Sequence, residues 1–184
     1  MLPLCRLIDG LNERVGHAVY WLVLVAVLIS AGNALVRYSL NTSSNAWLEV
    51  QWYLFSAIFL LCSGYTLLRN EHIRIDIVFN GLSKRQQIWI DVIGGLLFLI
   101  PMCAMITYLS WPVLVDSFVR HEMSTDAGGL IRWPVKALMP VGFSLLLLQG
   151  ISETIKRLAF LAGLIPDPTE KPEVAVTHGG TETP

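Results

Sequence analysis

The chain predicts an all-helical integral membrane protein of four transmembrane helices with both termini cytoplasmic. Three observations predict it. The 184 residues are 54% hydrophobic and 15% charged, whereas a soluble domain carries about 25% charged residues. Mean hydropathy is +0.58. Four apolar runs, at 17–38, 47–68, 88–110 and 134–155, each approach the roughly 20 residues that cross a bilayer. Together they leave no room for a separate soluble domain. Residues 1–165 therefore read as one membrane domain, followed by a cytoplasmic tail at 166–184. A net charge of −1, with no long basic tract, gives no reason to expect a nucleic-acid partner.

The ends of the runs carry the rings that favour a water–lipid boundary. Trp21, Trp47, Trp89, Trp111 and Trp133 fall there, as do Tyr20, Tyr38 and Tyr65, while Trp52 lies deeper. Lys and Arg set the orientation. The N-terminal segment, the middle loop and the C-terminal region hold nine, against four on the opposite side (Arg37, Arg120, Arg132 and Lys136). By the positive-inside rule the richer side is cytoplasmic. The first run is read as a retained helix and not a signal peptide, because its apolar part is long and Ser30, Ala31 and Gly32 make a weak cleavage site.

Each element follows from local chemistry. Ala26, Ser30 and Ala34 put small residues on one face of the first span, which lets another helix approach, and Asn33 beside them is suited to an interhelical hydrogen bond. Glu49 and Gln51 open the second span. A helix N-terminus favours the Glu49 anion, and Arg37 is a candidate partner for it. Ser83 with Gln86 forms a capping box, so the third helix is expected to begin near Lys84. Gly94–Gly95 and Pro101 should break its regularity, and Pro140 lies in the first turns of the fourth span. Asp91 and Glu153 read as paired interfacial charges, with Arg157 at i+4 from Glu153. Truncating the tail after Ile165, which is rich in Pro and Gly and reads as disordered, should cost little.

Several kinds of chemistry find no support in these residues. Cys5, Cys62 and Cys103 are isolated, without CxxC or metal spacing. A haem anchor needs facing histidines within spans, yet His17 starts the first span and His72, His121 and His178 lie in loops or the tail. No cofactor is expected. A self-sufficient small transporter should carry an acid deep in a span and an internal duplication, and neither is found.

The stretch between the second and third spans is different. Ile73, Ile75 and Ile77 alternate with Arg74 and Asp76, ahead of Val78 and Phe79. An unpaired strand edge is not tolerated in lipid. The segment therefore reads as a short interfacial element, lying in the headgroup layer or against another protein, or as a solvated loop. Glu71, His72, Arg74 and Asp76 could form a charge network within it.

The run Arg69-Asn70-Glu71-His72-Ile73-Arg74-Ile75-Asp76 resembles the charged signature of the small permease subunit of tripartite ATP-independent periplasmic (TRAP) transporters, the DctQ-type family. Further motifs follow in the same order: Trp47-Leu48-Glu49, Glu122-x-Ser124, Trp133-Pro134, Pro140-Val141-Gly142 and Gln149. The resemblance covers roughly residues 10–160. It implies a bacterial inner-membrane protein that pairs with a large multispanning permease, in which substrate and sodium would be carried. It also implies a periplasmic substrate-binding protein that delivers a carboxylate or similar small solute, and a static scaffolding role within membrane lipid. On this reading Glu49, Arg69, Glu71, His72, Arg74 and Asp76 are candidate structural or subunit-interface residues. Glu122, Ser124, Asp126 and Arg132, with Asp116, are candidate contacts for the binding protein. The segment between Glu122 and Trp133 is richer in glycine than the simplest family pattern, and a plain turn about Gly128–Gly129 is the competing reading.

Overall fold

The computed structural model describes residues 2–41, 44–70 and 81–165. The interfacial element at 71–80, with Glu71, His72, Arg74 and Asp76, and the tail at 166–184 lie outside them. Four long helices form: α1 (Leu2–Leu40), α2 (Asn45–Leu68), α3 (Lys84–Val119) and α4 (Trp133–Leu161), all long and apolar enough to cross a membrane. Among the described residues no strand occurs, only an isolated antiparallel bridge between Met123 and Ile131.

α1 begins well ahead of the apolar run at 17–38. Its 39 residues make a rod of about 58 Å at roughly 1.5 Å per residue, far more than a bilayer core of about 30 Å. The added turns are amphipathic. Cys5, Ile8 and Asn12 are buried, while Leu4, Leu7 and Leu11 face outward. That three-and-four spacing makes a single stripe, and Pro3 sits in the first turn, where its missing N–H costs nothing.

α3 starts at Lys84, as the capping box predicts. Gln86 Oε1 accepts the backbone N–H of Ser83 at 3.0 Å. The irregularity expected of Gly94–Gly95 and Pro101 takes the form of one π-helical turn over Gly95–Leu99. Pro101 has no N–H to donate, and its ring would crowd the carbonyl one turn back. A wide turn just before it re-spaces those carbonyls.

Helix ends share one device. Asn41, Asn70 and His121 follow α1, α2 and α3 with φ of 50°, 55° and 48°, and Gly163 follows α4 with φ 74°. Left-handed residues at these positions turn the chain back onto its last carbonyls. At α4 the Leu164 N–H reaches Ala159 O at 2.9 Å.

α4 is the central helix. It packs against α1, α2 and α3, whereas α3 meets the rest of the bundle chiefly through α4. Apart from Pro140, its buried positions are small or polar: Gly142, Gln149, Gly150, Ser152, Glu153, Thr154 and Arg157. Gly142 explains how close α2 comes. A Cβ there would lie 2.7 Å from the backbone oxygen of Leu60. The large apolar side chains point the other way, among them Phe59, Phe98 and Tyr108, each more than 70% exposed. In lipid that is the favourable arrangement, because the bilayer core solvates apolar side chains and demands internal satisfaction of polar groups.

Candidate functional site

Polar side chains collect at the two ends of the bundle. At the end formed by the α3–α4 loop (residues 120–132), Asn45, Glu49 and Tyr53 lie four residues apart on one face of α2 and reach across to the loop. Glu49 is 6% exposed. Its Oε2 accepts the Leu130 backbone N–H at 2.7 Å, and its Oε1 accepts the Ser124 hydroxyl. Asn45 donates to Ala127 O at 3.3 Å, and Tyr53 donates to Ile131 O at 3.1 Å.

The loop also ties itself together. The Ser124 N–H donates to Leu130 O, and the Arg132 N–H donates to Glu122 O, each at 2.9 Å. The Asp126 N–H and the Arg132 guanidinium both approach Ser124 Oγ, at 3.3 and 3.4 Å. Arg132 therefore stands behind the hydroxyl that holds Glu49. The Lys136 ammonium pairs with Glu122 and holds its carboxyl below the usual carboxylate range. Gly129 is confined: a Cβ there would collide with Ser124 and come within 2.9 Å of Glu49 Oε1. A cavity of about 210 Å³ remains beside the clasp, lined by Glu49, Trp52, Tyr53, Ser56, Asp126 and Arg132, with Val135.

Glu49, Glu122, Ser124, Asp126 and Arg132 come together here. Asp126 is exposed at the tip, and the other four are partly or wholly buried. The candidate pairing of Glu49 with Arg37 is not formed among the described residues. Glu49 turns to the loop instead, and Arg37 is exposed beside Asn33 and Gln51. Arg69 sits at the other end of α2, where it pairs with Glu13 and lies over the Tyr65 ring at 5.3 Å. Around it Tyr20 and Tyr65 share a hydroxyl contact of 3.0 Å, and the His17 ring stacks edge-on to both.

The second polar layer joins the start of α1 to the end of α4. Gln149 is fully buried. It accepts from Asn12 Nδ2 at 2.9 Å and donates to Asp9 Oδ1 at 2.9 Å and Glu153 Oε1 at 3.1 Å. Ser152 donates to Asp9 at 3.1 Å. Lys156 lies 3.1 Å from Asp9 Oδ2 and 2.5 Å from Glu153 Oε1. Arg157 reaches Glu153 at 3.7 Å and Asp91, on α3, at 3.4 Å. The predicted Glu153–Arg157 contact is thus one strand of a web of three carboxylates and two cations spanning three helices. Asp9, Asn12 and Lys156 were not singled out from the sequence. Asp9 and Asn12 continue the Cys5–Ile8 stripe, and Gln149, Ser152, Glu153 and Lys156 share one face of α4, so helical periodicity carried the signal.

Both clusters hold their members in place, although in the second Asn12 Oδ1 and Arg157 Nε are buried without a hydrogen-bond partner. Among the described residues, no group of three His, Cys, Asp or Glu could hold a metal ion. Cys5 and Cys103 are buried and Cys62 half-buried, all as free thiols. What these arrangements do physically is lock helices and one loop into a single body.

Residues 26–160 match the family described as tripartite ATP-independent periplasmic transporters, DctQ component. No curated protein and no solved structure matches the chain.

Proposed function

The chain belongs to the DctQ family, the small inner-membrane component of TRAP transporters, and from that premise we propose that it acts as the static scaffold of a three-part uptake system. In this reading a large multispanning permease subunit moves the solute with sodium. A periplasmic binding protein delivers that solute, an organic acid or a similar small molecule. The family as a whole is a transporter component and not an enzyme family. The chain's termini face the cytoplasm and its α3–α4 loop faces the periplasm.

The observation that carries the proposal is the pair of polar clasps at opposite ends of the bundle. The Glu49–Ser124–Leu130 clasp ties α2 to the loop, and the Asp9–Gln149–Glu153–Arg157 web ties α1, α3 and α4. A body pinned at both ends suits the fixed part of a transporter better than the moving part. Buried acids that are each met by donors suit structure better than ion transit. At the periplasmic loop, Glu122, Ser124, Asp126 and Arg132 form a compact ledge with Asp126 at its exposed tip, a surface the binding protein could read.

The test is purification of the tagged chain, co-expressed with its neighbouring transport genes, in mild detergent. The scaffold reading expects a stoichiometric large membrane protein to come with it, and uptake in liposomes to require both subunits and the binding protein. Uptake by this chain alone would overturn the reading.

A further inference from the structure

Resting on the scaffold reading, we propose that the groove between the outer half of α1 and the start of α2 seats one transmembrane helix of the large permease subunit, with a carboxylate or amide on that helix meeting Asn33, Arg37 and Gln51. The buried seam of α1 runs Cys5, Ile8, Asn12, Val19 and Ala26, in steps of three, four and seven. The same steps lead on to Ser30, Asn33 and Arg37. No residue of α1 beyond Ala26 is buried, and Leu35, Tyr38 and Leu40 are each more than two-thirds exposed. The stripe thus continues in sequence beyond the last buried residue, where only the start of α2 flanks it.

The space along that face is large. Cavities of about 340, 580 and 420 Å³ border it, lined from α2 by Trp47, Gln51, Phe55 and Ile58. Asn33 walls two of them. Asn33 and Gln51 lie about 10 Å along their helices from the ends at Leu40 and Asn45, within the apolar runs. Neither has a side-chain hydrogen bond among the described residues, and Arg37 has no ion pair there.

Chemistry selects the occupant. Acyl chains can fill the volume but cannot accept a hydrogen bond, and polar side chains within spans are characteristically satisfied by a neighbouring helix. Among the described residues, Arg37 is the single charged side chain lining the three cavities, and no carboxylate lines them. The complementary surface is therefore one that accepts hydrogen bonds. A second copy of this chain docking through the same face would bring another Arg37 and, among the described residues lining the cavities, no carboxylate to meet it. Ser30, Ala31, Gly32 and Ala34 leave the backbone open to close approach.

The experiment places a photoreactive benzoylphenylalanine at Asn33, and separately at the outward-facing Leu97 of α3, in the chain co-expressed with the large subunit. The proposal expects a crosslink to the large subunit from position 33 and none from position 97. In parallel, Asn33→Leu with Gln51→Leu should lower recovery of the large subunit by about tenfold while leaving this chain's own yield and elution unchanged. If the subunits co-purify but position 33 gives only lipid adducts or a dimer of this chain, the docking face is wrong and the scaffold reading stands. If no large subunit is recovered with the unaltered chain, both fall.

Discussion

Glu49 and Leu130 meet across 81 residues of chain, with the carboxylate oxygen 2.7 Å from the backbone N–H. An acid placed where lipid begins is thus spent on the backbone of a loop, and the loop in turn closes the end of the bundle. The Ser124 hydroxyl takes the other carboxylate oxygen, and Arg132 lies behind that hydroxyl. Glu49→Leu leaves both donors without an acceptor. Its expected cost is about 2–5 kcal/mol, the range for stranding buried donors that had bonded a charged group. Glu49→Gln keeps the shape and one acceptor oxygen and should cost about 1–2 kcal/mol. Chemical denaturation in detergent, with protease cleavage of the loop as a second readout, checks this. Equal stability of Glu49→Leu and the unaltered chain would show that the clasp is idle.

Arg157 tests the other clasp. It is buried between Glu153 and Asp91, so Arg157→Leu removes a cation from two poorly hydrated carboxylates, of which Glu153 keeps Lys156 and Gln149. Removing one partner of such a pair costs about 3–5 kcal/mol. Arg157→Lys should recover part of this, because a point charge replaces the guanidinium without its fork. Thermal unfolding followed by loss of soluble monomer reads the order Arg, then Lys, then Leu. Leu tolerated as well as Lys would assign the site's stability to packing alone.

Much of this was legible in the residues. Hydropathy and composition are sufficient for four helices, because a span must be apolar for its whole length. Ser83 and Gln86 mark the start of α3 because a capping box is a local motif. Glu49 stands out as an acid at a span end, but its partner does not. The loop brings Ser124 and Leu130 back through left-handed residues and an isolated bridge at Met123 and Ile131, none of which obeys a helical period. Arg37 was the nearest cation in sequence, and nearness in sequence is a poor guide across a helix hairpin. The early turns of α1 were hidden for a different reason. Arg6, Asp9, Glu13 and Arg14 depress hydropathy there, and the Cys5–Ile8–Asn12 stripe shows only to a period-3.6 reading. The π turn at Gly95–Leu99 follows from a proline, yet a proline is equally compatible with a kink.

Gly142 carries the α2–α4 contact. Its missing side chain lets Leu60 O approach to where a Cβ would be 2.7 Å away, and the obstacle is backbone, which cannot rotate aside. Gly142→Ala should therefore cost about 1–3 kcal/mol through overpacking, despite the better helix propensity of alanine. Gly32→Ala, which meets nothing within 4 Å, is the matched control and should be neutral or slightly stabilising. A pair of unfolding curves separates them, and coincident curves would mean that α2 shifts freely along α4.

The Glu122–Lys136 pair makes stability depend on acidity in a stated direction. The ammonium of Lys136 favours the charged carboxylate, so the folded value of Glu122 lies below its unfolded one. A group depressed in this way stabilises the fold fully above its unfolded value. The contribution fades as pH falls through the interval down to the folded value, because the unfolded chain takes up the proton first. Glu122→Gln removes that leg. The difference in midpoint temperature between the unaltered chain and Glu122→Gln should be constant near neutrality and shrink on acidification through the carboxylate range. High salt should narrow it as well, since the pair is partly exposed. A difference that instead grew as pH fell would mean that Glu122 is held in its protonated form, contrary to the geometry of the loop.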